Sequence, residues 1–305
     1  MMGNTFTFPS PGHPRLGDRF SRWMGRWRCG GIEHYSTAEA GASSAQWRSG
    51  DWFTVNDERI WLDALPDAFS GLRVVQISDI HHGLYLPPEM LAQVVRQANR
   101  LNPDIVALTG DFVSYSRANI GPAAEILKNL RARHGVFAVL GNHDFRVDAN
   151  AITTALRRQR IEVLRNQHAT LRFGGASLYV AGIDDYGYGA DIRQAMSGIP
   201  REAATILLAH NPRIISLASR QGVSLVLSGH THGGQINLPL LGTVLGRSPE
   251  RMRYKIGWDR LGTTQIYVSR GIGTIVVPWR LRCPAEISHL ELLQTSPAAR
   301  NAAAN

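Results

Sequence analysis

Two histidines flank a single threonine between glycines in Ser228-Gly229-His230-Thr231-His232-Gly233-Gly234-Gln235. Imidazoles two residues apart in an extended turn project about 6–7 Å apart along the chain, far enough to serve two different metal ions. Four earlier segments carry side chains fit to complete such a pair: Asp79-Ile80-His81-His82-Gly83, Gly110-Asp111, Gly141-Asn142-His143-Asp144 and His210-Asn211-Pro212. Together they offer carboxylate, imidazole and amide oxygen, the donors that suit hard or borderline divalent ions such as Mn, Fe or Zn. No thiolate is among them, which argues against a structural zinc site.

Taken singly, each segment has a bland reading. An Asp-x-His pair is commonly a surface or capping pair, a Gly-Asp is commonly a turn, and Gly-Asn-His-Asp reads equally as a turn with a helix cap. Their placement changes this. Leu72–Ser78, Ile105–Thr109, Val136–Leu140, Ile206–Ala209 and Ser224–Leu227 are apolar runs rich in β-branched residues, and each delivers one of the five segments at its C-terminal end. Helical periodicity falls between them at Pro88–Leu101, Ala123–Arg133, Asp148–Gln159 and Ile214–Arg220. This alternation is that of a layered α/β protein whose site lies beyond the strand C-termini.

Around that core the chain is less regular. Trp52–Val55 and Ile60–Leu62 read as two short strands about an Asn56-Asp57 turn, an edge hairpin. Ala169–Phe173 and Ser177–Gly182 read as strands joined at Gly174-Gly175, and Ile236–Gly262, with Arg247, Arg251, Arg253 and Lys255, reads as a loop over the site. Ile266–Ser269 is a strand followed by a glycine turn, and Glu286–Leu293 alternates as a closing strand. Residues 51–294 are therefore expected to form one catalytic domain, with a flexible tail at 295–305.

Residues 1–50 read as a leader and linker. Within them Leu16, Phe20, Trp23 and Trp27 recur at helical spacing, with Arg15, Arg19, Arg22 and Arg26 on an adjoining side. Such a helix over 15–28 either lies in an anionic membrane interface or packs on the domain. The formal net charge is +9, but lysine occurs only at Lys128 and Lys255, so the excess is spread arginine. It does not single out nucleic acid, which needs basic residues clustered on one surface. Cys29 and Cys283 are the only cysteines and read as unrelated thiols. No apolar run approaches the roughly 18 residues of a spanning helix. A cytoplasmic protein is expected, with peripheral contact at the inner membrane face as the role for 15–28, and no protein partner.

The ordered set of segments resembles the calcineurin-like metallophosphoesterase family, whose pattern is Asp-x-His, Gly-Asp, Gly-Asn-His-Asp/Glu, a lone His and Gly-His-x-His. The likeness runs from about Leu72 to Leu293, and its flanking wording is similar to the bacterial phosphodiesterase branch that includes membrane-associated and lipid-headgroup hydrolases. Members of that branch often begin with a transmembrane segment or a twin-arginine signal; the one Arg-Arg pair here, Arg157-Arg158, sits inside the domain. The resemblance implies a four-layer αββα sandwich, two packed mixed β-sheets flanked by helices. It also implies two divalent ions: Asp79, His81 and His232 at the first, Asn142, His210 and His230 at the second, with Asp111 bridging. An anionic bridge makes physical sense, since two dications about 4 Å apart repel strongly.

By the same likeness His143 is the residue to protonate the leaving oxygen or stabilise charge on phosphorus, with Asp144 either orienting it or capping the next helix. Arg270 and His82 are candidate substrate contacts, while Asp184 and Asp185 are expected to brace a loop. The activity implied is hydrolysis of a phosphodiester or pyrophosphate in a small molecule or lipid headgroup, for which UDP-2,3-diacylglucosamine is one test substrate. A nuclease or cyclic-nucleotide phosphodiesterase, and a catalytically silent binding module of the same fold, are the alternatives.

Overall fold

The computed structural model describes residues 52–238, 242–243 and 254–295. The expected 15–28 helix, residues 239–241 and 244–253 of the expected arginine-rich loop, and the tail beyond 295 lie outside the described residues.

The first sheet grows from buried apolar runs. Strands β1 (Phe53–Leu62) and β2 (Leu72–Ile77) are followed by helix α1 (Pro88–Arg100), whose Leu91, Val94, Val95 and Ala98 face inward. Pro at the first helical position costs α1 no hydrogen bond. Asn102, at φ 48°, turns the chain away after it. Next come β3 (Ile105–Leu108), α2 (Ile120–Leu127), β4 (Val136–Ala138), α3 (Asn142–Arg158) and β5 (Glu162–Val163).

The second sheet follows with β6 (Gln167–Phe173), β7 (Ala176–Gly182), α4 (Ile192–Ala195), β8 (Thr205–Leu208), α5 (Ile215–Arg220) and β9 (Leu225–Ser228). A two-stranded ribbon, β10 (Asn237–Leu238) and β11 (Gly242–Thr243), precedes β12 (Gly257–Leu261) and β13 (Thr264–Val268). The chain then returns to the first sheet as β14 (Ala285–Gln294).

The strand orders are β1-β14-β2-β3-β4-β5 and β12-β13-β9-β8-β7-β6. Both sheets are mixed: β2 through β5 are parallel while β14 runs antiparallel to β2, and β13, β9, β8 and β7 are parallel between antiparallel edges. Three apolar clusters define the layers. One packs α1, α2 and α3 on the first sheet, a second fills the space between the sheets with Leu72, Val74, Leu178, Ile206, Leu225 and Tyr267, and a third packs α4 and α5 on the second sheet. The result is the four-layer αββα sandwich, its non-polar burial divided among three interfaces.

Three stretches differ from the sequence reading. The expected N-terminal hairpin is one ten-residue strand, paired in parallel with β14 from Phe53↔Ala285 to Leu62↔Gln294. Asn56 and Asp57 do not turn the chain, because their side chains have partners on other strands: Asn56 Nδ2 donates to the Tyr267 hydroxyl of the second sheet, and Asp57 Oδ1 lies 2.7 Å from His289 Nδ1 on the neighbouring β14. The helix expected from Asp148 begins at Asn142 instead, with extended backbone at Asp148 (φ 179°) between two helical pieces. The stretch read as a loop through Gly262 also contains β12, which pairs antiparallel with β13.

Candidate metal centre

Beyond the C-terminal ends of β2, β3, β4, β8 and β9 the five segments converge. Asp79, His81, Asp111, Asn142, His210 and His232 are all buried, and His230 is half-buried. Buried polar side chains need partners, and here the partners are mostly one another. His81 Nε2 and His232 Nε2 are 3.1 Å apart, and His232 Nε2 is 3.3 Å from Asp79 Oδ1. On the other side His210 Nε2 lies 3.1 Å from Asp111 Oδ2 and 3.2 Å from His230 Nδ1. Asp111 Oδ2 is also 3.5 Å from His81 Nε2, so this carboxylate lies between the two groups. Donor atoms of Asp79, His81 and His232, and likewise of Asp79, Asp111 and His210, fall within 4.8 Å of one another.

The donor chemistry fits a cation. His210 Nδ1 is 2.8 Å from the Thr109 carbonyl oxygen, which can only accept, so Nδ1 carries a proton and Nε2 is the atom turned toward Asp111 and His230. Asn142 Oδ1 is buried with no hydrogen-bond donor on it among the described residues. Electron-rich atoms held this closely repel unless a positive charge sits among them. Titration follows the same electrostatics. Burial opposes a charged His210, but Asp111 outweighs it and raises the ring to about 10. Burial likewise favours a protonated Asp111, yet His210 and His81 hold it well below the usual carboxylate range. Asp79 is pushed up to about 6 by burial, with Asp111 adding repulsion. Burial lowers His81 to about 3 and holds His232 well below the usual imidazole range, so both rings are neutral lone-pair donors.

The backbone is bent to make this possible. Asp79, His81, Asp111, His230 and His232 all have φ between 48° and 70°. Each such residue costs about 1 kcal/mol or more, and that recurrence marks a site whose surroundings over-determine it. Glycine supplies the clearance: a Cβ at Gly141 would lie 2.2 Å from Asp111 Oδ1, and one at Gly229 would lie 2.2 Å from Asp79 Oδ2. Hydrogen bonds then lock the ligands. The His230 N–H donates to Asp79, the His143 N–H donates to Asp111 Oδ1 at 2.8 Å, and His81 Nδ1 lies 2.6 Å from Ser114 Oγ.

The remaining sequence candidates fall in different places. His143 is half-buried, its ring edge-on to His81 at 4.9 Å and 6.5 Å from Tyr115. Asp144 does not orient it; its carboxylate accepts the N–H groups of Gly141, Asp111 and Phe112, capping α3 and tying down the Asp111 loop. Burial, with Asp111 adding repulsion, raises Asp144 to about 8. His82 is buried with Nδ1 2.9 Å from the Leu86 carbonyl oxygen, bracing the following loop. Arg270 is buried, and its Nε donates to Glu286, whose other oxygen accepts from Tyr267 and Ser288. Asp184 pairs with Arg165, while Asp185 Oδ1 accepts the Gly187 N–H.

Several supports went unread in the sequence. Ser114, Arg280 and Glu286 lie outside the five segments, and Gln235, at the end of the fifth, had no role assigned. Arg280 donates to the Gly273 and Arg270 carbonyl oxygens and sets Nη2 3.5 Å from His232 Nδ1, while the Cys283 thiol donates to the His232 carbonyl oxygen. Nothing local marks them: Ser114 meets the His81 ring 33 residues earlier, Glu286 meets Arg270 16 residues earlier, and Gln235 meets carbonyl groups 40 to 44 residues on.

Comparison with known proteins agrees with this geometry. A family model described as calcineurin-like phosphoesterase matches residues 72–234, more than half of the chain. A zebrafish (Danio rerio) transmembrane protein with metallophosphoesterase domain is 34% identical over 255 residues, covering 79% of this chain and 57% of its own length. The metallophosphoesterase YkuE of Bacillus subtilis is 32% identical over 265 residues, covering 85% and 92%. Phosphodiesterase YaeI of Escherichia coli is 28% identical over 248 residues, covering 79% and 89%. Among solved structures, TT1561 of Thermus thermophilus superposes with a TM-score of 0.44 at 15% identity, covering 66% of this chain and 90% of that one. With its ligand-bearing strand ends inside the matched span, the chain belongs to the calcineurin-like phosphoesterase family and is a metal-dependent phosphoesterase.

Proposed function

We propose that the protein hydrolyses a phosphodiester or pyrophosphate bond in a small molecule or lipid headgroup, using two divalent ions. The observation that carries this reading is the pair of converging donor groups with Asp111 between them. Asp79, His81 and His232 would hold one ion, Asn142, His210 and His230 the other, and Asp111 would bridge. When bound, such ions supply Lewis acidity toward phosphoryl oxygens and make hydroxide available near neutral pH. The chain's own residues then position and protonate. Asp111, fixed by the His143 N–H, would serve both positions, and the neutral His81 and His232 rings would offer their lone pairs to the first. His143, not used as a ligand, stands beside the first group where it can deliver a proton to the leaving oxygen.

The intact donor set argues against a silent binding module, which would have no need of left-handed backbone at five ligand positions. A position at a membrane is supported by the zebrafish relative's name as a transmembrane protein. Among the described residues, no helix is long and apolar enough to cross a membrane.

Purified protein assayed with Mn, Fe or Zn against bis-p-nitrophenyl phosphate, UDP-2,3-diacylglucosamine, cyclic nucleotides and single-stranded DNA tests the reading. Metal-dependent turnover is expected, with His143→Ala lowering kcat by about 10²–10⁴ at unchanged metal content. Absence of metal-dependent turnover on every substrate rejects the proposal, and salt-sensitive DNA cleavage alone replaces it with a nuclease.

A further inference from the structure

Two adjacent acids leave the second sheet beyond the end of β7, and their surroundings differ. Asp184 is neutralised: Arg165 Nε donates to its Oδ1 at 2.9 Å and Arg165 Nη2 to its Oδ2 at 2.8 Å. Asp185 has no comparable clamp. Its Oδ1 accepts the Gly187 N–H at 3.1 Å, while its Oδ2 is buried without a hydrogen-bond partner among the described residues. With Asp185 only 3% exposed, bulk solvent does not supply the missing donor.

A buried carboxylate with one bare oxygen is destabilising unless positive charge compensates it. Bracing the loop does not account for that cost, since an asparagine would accept the Gly187 N–H equally well. The fold shows what Asp185 faces. β7 and β8 are parallel neighbours with Gly182 opposite Leu208, and the ladder continues with the Ile183 N–H on the Leu208 carbonyl oxygen. Asp185 and His210 therefore leave adjoining strand ends at the same edge of the sheet. His210 and Asp111 are the side chains whose charges act on Asp185, and Asp185 joins Asp111 and Asp79 in acting on the His210 ring. It belongs to neither of the donor groups that close to within 4.8 Å, so it stands outside the ligand set.

The charges of the two positions give such a residue a use. Asp79 provides the first position with a carboxylate of its own. Asn142, His210 and His230, which would hold the second, bring none, and Asp111 is shared. A dication there is favoured by one more negative charge nearby, and in a protein interior that charge acts over several ångströms without touching the ion.

We propose that Asp185 is the counter-charge of the second metal position, a positioning residue that tightens the hold of Asn142, His210 and His230 on a divalent ion without ligating it; this rests on the two-ion reading above. The full chain, stripped with a chelator, is titrated with Mn while electron paramagnetic resonance follows the free ion. Asp185→Asn keeps the shape and the acceptor for Gly187 and removes the charge. The unsubstituted chain should take up two ions. In Asp185→Asn one of them should bind about 10–100-fold more weakly and the other within about twofold. Anomalous scattering from crystals at limiting Mn should place the loss beside His210 and not beside His81. Because the bare oxygen is a cost in the ion-free protein, the variant should melt in chelator at an equal or higher temperature, the opposite of what a brace would give. Asp184→Asn, which breaks the Arg165 pair, should do the reverse, melting lower with Mn affinity unchanged.

Two ions held as tightly in Asp185→Asn as in the unsubstituted chain overturn the proposal. So does a loss beside His81, or equal weakening of both ions. A variant too unstable in chelator to titrate overturns it as well, since the carboxylate would then be supporting the loop. An unsubstituted chain that takes up fewer than two Mn ions overturns the two-ion reading itself, and this inference with it.

Discussion

The two sheets contribute unequally to one centre. From the first come both carboxylates, the amide oxygen and a single imidazole: Asp79, Asp111, Asn142 and His81. From the second come three imidazoles, His210, His230 and His232. The inequality extends to how the groups are held. The first sheet's candidate ligands are fixed within their own sheet, His81 N–H on the Asp111 carbonyl oxygen, Asp79 N–H on that of Gly110, and the Asp111 loop on the Asp144 carboxylate. Two of the second sheet's ligands are oriented by the first, His210 through the Thr109 carbonyl oxygen and the His230 N–H through Asp79. The first sheet is therefore the template, and the second sheet completes what it specifies. An error in the template should damage both halves, whereas an error in one ligand's support should stay local.

Asp111→Asn is the substitution that tests the template most severely. It keeps the volume and removes the charge that His81 and His210 share. Turnover should fall by on the order of a thousandfold or more, and metal analysis should show both ions depleted. Loss of one ion with the other retained would mean that the halves are independent and that the comparison between the sheets is wrong.

Ser114→Ala is a smaller and local break. His81 Nδ1 sits 2.6 Å from Ser114 Oγ, so removing the hydroxyl frees the ring to rotate and leaves His232 with no new freedom. Metal affinity at the Asp79, His81, His232 group should drop by about 10–100-fold, read by competition with a chelator, with the other position unchanged. The corresponding support of His210 is a backbone carbonyl, which no side-chain substitution deletes. Equal weakening of both positions would show that Ser114 supports the whole first sheet rather than one ring.

This asymmetry also explains what was legible in the sequence. The candidate ligands could be read because each ends a β-branched run, and such runs as Ile105–Leu108 and Leu225–Ser228 are buried over their whole length. Position in the fold and chemistry therefore coincide. The supports could not be read because their partners are remote: Gln235 gathers carbonyl groups 40 to 44 residues away, and Asn56 reaches a tyrosine 211 residues away. Asn56-Asp57 looked like a turn for the same reason, since a polar pair in mid-strand is intelligible only once β13 and β14 lie against it. Local pattern specifies what a side chain is, and tertiary contact specifies what it is used for.

His81 and His82 show that rule at its smallest scale, and His82→Gln puts it to the test. Adjacent in sequence, the rings differ in what they meet. His81 Nε2 faces His232 and Asp111, while His82 Nδ1 faces the Leu86 carbonyl oxygen, and the His82 backbone N–H is held by the Phe112 carbonyl oxygen at 2.8 Å. A glutamine amide can still donate to Leu86 but fills the buried space less well. The expected result is a stability loss of about 1 kcal/mol by denaturant titration and kcat/KM within about twofold of the parent. A fall in kcat/KM of about tenfold or more, at full metal content and with the loop still folded, would require the second ring to touch substrate as well.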